Sequence, residues 1–191
     1  MTLISESWKK LEPLKVKYGN LEPFNDYYQR IRPMTEFSHI PKTVFKQWLW
    51  AHHDKEESIK NYGWIDYKNV EFELCSWTNH QLTNIYVIKE YRDYYLNRAS
   101  YNDFDRFCCI EKDLKMWREN GTWRTPPIIL DINSLNDKIP DWCEIVPPFQ
   151  LVEGHSRLGY LHSMFKIDKL GKSQIADEHE VYLMKIKSTN A

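Results

Sequence analysis

Five consecutive residues, Glu153-Gly154-His155-Ser156-Arg157, place a carboxylate, a bare backbone position, an imidazole, a hydroxyl and a guanidinium side by side. A short apolar strand (Phe149, Leu151, Val152) runs into them, and a helix-like stretch from Leu158 to Phe165 follows. Strand, glycine turn and helix start, in that order, is an arrangement that binds anions. The first N–H groups of a helix lack an intrahelical acceptor, and the macrodipole places about +0.5 charge there. Gly154 lets the backbone approach a ligand that a Cβ would hold away. Ser156 can cap the helix or donate to a phosphate oxygen, and Arg157 offers a planar fork matched to phosphate. The competing reading is an ordinary strand-to-helix connection with Glu153 and Arg157 as a solvated ion pair.

Within this turn His155 can act as a general base or contact a phosphate, since its charge state adjusts near neutral pH. Glu153 can accept a ribose hydroxyl, hold Mg²⁺ through water or act as base. Asp131 follows the apolar run Ile128-Ile129-Leu130, where a strand end delivers a side chain to a cleft, and is a third catalytic candidate. His162 lies two helical turns beyond His155 and can share its face. Glu111, Asp113 and Glu119 read as a solvated helix face. His52-His53-Asp54 suggests a metal site, but neighbouring helical residues point about 100° apart, so complementing a helix C-terminus is the simpler role.

The elements that position these groups are legible in part. Asp66 to Thr78 alternates Val70, Phe72 and Leu74 against Glu71, Glu73 and Cys75, which predicts a strand. Asn84 to Tyr95 fits a strand or a helix. Glu111 to Glu119 has helical spacing and stops at Asn120-Gly121, a left-handed C-cap. Strands are expected at Ile128–Leu130 and from His179 onward, with a polar connection from Asn133 to Pro148 and a linker from Leu170 to Glu178. Pro41 suits a first helical position before Val44, Phe45, Trp48 and Leu49. Earlier, Pro13, Pro23 and Pro33 recur among aromatics, which suggests an extended arm with helical turns wrapping the domain or a partner. The expected organisation is a helical or extended N-terminal extension over residues 1–65 and an α/β domain (α+β, a small mixed sheet with flanking helices) over 66–191.

Composition sets the bounds. Hydrophobic residues are 42 % and aromatic residues 15 % of 191, with 8 Trp and 12 Tyr, enough to fill a core and leave rings for a groove or interface. A net charge of −1 argues against a stand-alone protein that binds DNA non-specifically through phosphates. No apolar run approaches the roughly 20 residues of a membrane span, and the N-terminus lacks the charge and apolar pattern of a secretion signal, so a cytoplasmic location with no membrane partner is expected. Cys75, Cys108, Cys109 and Cys143 form no Cys-x-x-Cys pair and read as free core thiols.

The order of motifs from about residue 107 to 186 resembles the ParB/sulfiredoxin-like superfamily. Lys115-Met-Trp-Arg-Glu-Asn-Gly121 and Pro127-Ile-Ile-Leu130 look like its helix-glycine and Pro-Ile strand element. Phe149-Gln-Leu-Val-Glu-Gly-His-Ser-Arg157 looks like its Gly-x-x-Arg turn, and Glu180 to Met184 like its closing strand, with the strand at 69–77 as the first. The resemblance implies a nucleotide (CTP, ATP or ADP, with Mg²⁺ where phosphoryl transfer occurs) on Gly154, His155, Ser156 and Arg157. The chain departs from the pattern in two places. His155 stands where sulfiredoxin has its reactive cysteine, which removes that chemistry. Ser156 and Tyr160 replace the arginine and alanine of partition proteins, and no helix-turn-helix follows, which disfavours a DNA clamp. The expected function is nucleotide binding, with phosphoryl transfer or hydrolysis as its enzymatic form. The rivals are a non-enzymatic adaptor that uses its N-terminal extension on a protein or nucleic acid, and a DNA-processing protein drawing on Lys112, Lys115, Arg118 and Arg124.

Overall fold

The computed structural model describes residues 3–135 and 139–187. It is an α+β structure built on one four-stranded sheet of order β1-β4-β2-β3, formed by β1 (Val70–Thr78), β2 (Ile128–Asp131), β3 (Phe149–Glu153) and β4 (Glu178–Ile186). The helices, in chain order, are α1 (Glu6–Lys10), α2 (Phe24–Ile31), α3 (Lys42–Val44, continuing as a π-helical turn over Phe45–Trp50), α4 (Glu56–Tyr62), α5 (Asn79–Leu82), α6 (Lys89–Ala99), α7 (Glu111–Asn120) and α8 (His155–Lys169). No helix among the described residues is long and apolar enough to cross a membrane.

The chain divides into two compact units. The first takes Met1–Phe72, Asn133–Ile145 and Met184–Ala191; the second takes Glu73–Ile132 and Val146–Leu183. The first 65 residues are therefore part of a unit with its own core. Trp8, Leu11, Tyr27, Ile31, Phe37, Val44, Trp48, Leu49, Tyr62 and Tyr67 are all essentially buried there. Their polar tips are satisfied internally: Tyr27 donates its hydroxyl to Leu11 O at 2.9 Å, and the Trp48 indole N–H donates to the Tyr67 hydroxyl at 3.4 Å. Truncating a buried Trp such as Trp8 or Trp48 costs about 3–5 kcal/mol, so this aromatic spending is structural. Residues 139–145 join the same unit by non-local bonds that a linear reading cannot see. Glu144 N donates to Asn61 Oδ1 at 2.7 Å, and Lys60 pairs with the Glu144 carboxylate at 2.7 Å.

In the second unit β2 and β3 are antiparallel, with Ile129 opposite Leu151 and Ile128 opposite Glu153. Ile129, Leu151, Leu158, Leu161, Met164, Ile167 and Val181 form the core under α8, continued by an aromatic group in which Phe107 stacks on Tyr160 at 4.2 Å. The segment that fits either strand or helix is both in turn. Tyr86 makes a single parallel bridge to Gln150, with Leu151 N donating to Tyr86 O at 2.9 Å, and α6 begins three residues later. α7 stops where its glycine requires: Gly121 has φ 63°, and a Cβ there would lie 2.2 Å from Gln174 O. None of the four cysteines is buried. Cys108 is exposed and the others are intermediate, because Phe107 turns into the core while its neighbour faces out.

Candidate functional site

β3 leads directly into α8 through Gly154, the N-cap, at φ 108° and ψ 22°. A left-handed N-cap without a side chain leaves the first turn with no side-chain cap, and that turn contains no acidic residue. Helix starts are normally neutralised by a capping oxygen or by an acid in the first turn; α8 has neither, and its nearest carboxylate is Glu153, just before the N-cap. The glycine is required by the fold itself. A Cβ on Gly154 would lie 2.5 Å from Pro127 Cβ, and its backbone angle is one L side chains rarely adopt.

The side chains around this helix start come from three elements. Arg157, in the first turn of α8, pairs with the carboxylate of Glu153 at the end of β3. The pair is four-fifths buried, with side-chain exposures of 20 % and 18 %, so it is shielded where the sequence suggested a solvated pair. From α6, Tyr94 places its hydroxyl 2.6 Å from Ser156 Oγ, and the Tyr91 ring lies 4.4 Å from that of His155. Arg98 stacks its guanidinium 3.7 Å from the centre of the Tyr94 ring. The Nε atoms of Arg98 and Arg157 are both buried without a hydrogen-bond partner among the described residues.

Gly154, His155, Ser156 and Arg157 are thus gathered with Glu153 at one helix start. Asp131 is not. Because β2 runs antiparallel to β3, Asp131 lies opposite Phe149, at the far end of the ladder from Glu153. Three residues of strand separate the two carboxylates, roughly 10 Å, too far to share one ion or one proton. His162 packs edge-on to Tyr95 at 5.5 Å, and its burial pushes its pKa down. It belongs to the α6–α8 packing and not to the turn.

The three residues that sequence reasoning missed, Tyr91, Tyr94 and Arg98, all lie on α6. Their spacing, with Tyr95, is i, i+3, i+4, i+7, the signature of one helix face. It was visible, but the segment fitted a strand equally well.

Other candidates resolve as structure. Asp113 pairs with Arg124 at 2.6 Å, Lys115 with Glu119 at 3.8 Å, and Arg118 stacks over Phe104, so three of the four cations proposed for DNA are engaged within the second unit. His53 stacks on Trp8 at 4.4 Å with its Nε2 2.8 Å from Trp8 O, and burial lowers its pKa; it is a core histidine. Among the described residues no three His, Cys, Asp or Glu are placed to hold a metal ion.

No protein-family model, no curated protein and no solved structure matches this chain.

Proposed function

We propose that the β3–α8 turn binds the phosphates of a nucleotide, and that the second unit is a ParB/sulfiredoxin-like domain. The observation that carries this is the bare start of α8: an N-cap glycine, no capping oxygen, no acid in the first turn, and an arginine in its place. A cation in a first turn is unfavourable against the dipole unless an anion accompanies it. In the structure the anion beside Arg157 is Glu153. A phosphate entering the turn takes the N–H groups of α8 and exchanges with Glu153 for the Arg157 fork, a charge-assisted and bidentate contact. The element order supports the wider resemblance: β1, helices ending at Gly121, β2, β3, the glycine turn, α8 and β4 follow one another as that superfamily requires.

Glu153, once released, is the carboxylate available to a Mg²⁺ that accompanies the phosphates, and His155 is the group beside them able to move a proton. Asp131 has no part in this arrangement. The experiment is a thermal-shift screen of CTP, ATP and ADP with and without Mg²⁺, since a ligand that binds only the folded state raises the melting temperature. A rise with any of the three supports the site; none at millimolar ligand rejects it.

A second reading has its own observation. The Glu153–Arg157 pair already neutralises the turn, which is what a purely structural connection in an adaptor protein needs. The two readings part in the Arg157→Ala variant considered below.

A further inference from the structure

We propose that the first unit carries a binding surface for single-stranded nucleic acid, formed by the hairpin over residues 14–21 and the outward sides of α2 and α3. Its first component is Tyr18. Residues 14–21 make a small hairpin, with Lys15 bridged to Leu21 and Glu22 N donating to Leu14 O at 2.8 Å. Tyr18 stands at its tip, 99 % exposed and at φ 62°. A bulky side chain held in left-handed backbone, with no part of its ring against the protein, is costly on both counts. Such a ring is placed for contact with something outside the chain.

The second component is a stacked pair on α2. Phe24 and Tyr28, one helical turn apart, lie with ring centres 5.8 Å apart at an interplanar angle of 25°, and both are partly exposed. From α3, Lys46 lies over the Phe24 ring at 5.8 Å and Lys42 over the Tyr28 ring at 5.0 Å. The two components are tied together. The buried Glu22 carboxylate accepts from Leu14 N at 2.8 Å and from Arg30 at 2.5 Å, and Trp50 donates to Glu22 O at 2.8 Å while its ring meets Phe24 at 5.8 Å.

The charge fits a polyanion. Lys15, Lys17, Lys42 and Lys46 are all exposed, and none has an acidic partner among the described residues. Residues 14–50 hold six cations against three acids, and two of those acids, Glu22 and Glu36, are already paired with Arg30 and Lys10. The whole-chain charge of −1 conceals this concentration. Exposed rings beside lysines are the recognition elements of single strands, whose unstacked bases offer free faces; in a duplex those faces are covered.

This surface is independent of the β3–α8 turn, and its test keeps the two apart. Fluorescence anisotropy of a labelled oligothymidine of about a dozen nucleotides, titrated with the full chain at low salt, is expected to show binding that a duplex of equal length does not match and that weakens as salt rises. Tyr18→Ala is expected to weaken it by about five- to a hundredfold, and Lys42→Glu with Lys46→Glu to remove it, with the melting temperature little changed because all three residues are exposed and the lysines' contacts with Tyr28 and Phe24 are solvent-screened. Arg157→Ala and excess CTP are expected to leave it unaffected. The proposal is overturned by an absence of binding at low salt, by equal affinity for duplex, by an unaltered Tyr18→Ala, by stronger binding of polyglutamate than of the oligonucleotide, or by loss of binding in Arg157→Ala, which moves the contact to the turn.

Discussion

The guanidinium of Arg157 folds back one helical turn onto the carboxylate of Glu153 and passes over Gly154, so closely that a Cβ there would stand 3.2 Å from its Nη2. Strand end, turn glycine and helix start are thereby clasped by one ion pair. Its partner preference, carboxylate or phosphate, is the question on which the function of the second unit depends.

Arg157→Ala separates the two. Because the pair with Glu153 is four-fifths buried, the variant is expected to melt lower than the parent in either case; if the arginine serves a phosphate, it also loses the nucleotide-induced rise. Losing a charge-assisted bidentate contact costs about 1.5–3 kcal/mol, roughly ten- to a hundredfold in affinity. A drop of several degrees in the ligand-free variant, with the nucleotide-induced rise intact, assigns Arg157 to structure alone.

Gly154→Ala is expected to destabilise the protein by roughly 2–5 kcal/mol, combining a strained left-handed backbone with overpacking. The added methyl meets Pro127 Cβ at 2.5 Å, and neither a proline nor a strand entry gives way cheaply. Urea unfolding measures this. A loss below about 1 kcal/mol contradicts the packing described for the turn.

Stability is expected to fall between pH 6.5 and pH 4 because of His179. This ring is buried, takes the Thr122 hydroxyl at Nδ1 (2.7 Å) and donates from Nε2 to Asn79 Oδ1 (3.0 Å), and burial lowers its pKa to about 4. The neutral ring satisfies both partners, so the folded state resists a proton that the unfolded state takes up at about 6.5. Stability is therefore full above that pH and is lost as pH falls toward 4, by an amount on the order of 3 kcal/mol. His53 and His162, also lowered by burial, act in the same direction. Melting temperatures measured from pH 7.5 downward are expected to show a shallower decline for His179→Gln than for the parent, from a lower starting point; equal slopes contradict the assignment.

Thiol labelling of the native protein is expected to modify Cys108 first, as the single exposed cysteine. Burial pushes the Cys143 thiol up to about 11 and raises Cys109 as well, which keeps both protonated and slow. Peptide mapping after brief exposure to iodoacetamide checks this order, and faster labelling of Cys143 than of Cys108 contradicts it.

Local signals in the sequence determined most of the second unit. The glycine that ends α7, the Ile128–Leu130 run and the Glu153–Arg157 turn each depend on period or backbone chemistry within a few residues, and each appears where that chemistry places it. The alternation of Val70 and Phe72 also becomes strand, but Leu74, which it places on their side, is exposed. Tertiary structure decided what depends on partners distant in the chain. Residues 1–65 are rich in aromatics, and only the burial of Trp8 against Trp48 and of Tyr27 against Phe45 makes most of them core. The antiparallel register of β2 on β3 removed Asp131 from the turn, since residue order along one strand does not say which end of its neighbour it meets. The packing of α6 brought Tyr91 and Tyr94 onto His155 and Ser156, across more than sixty residues of chain. Contacts of that separation leave no mark on local spacing, because the chain closes such loops at an entropic cost repaid only by the assembled core.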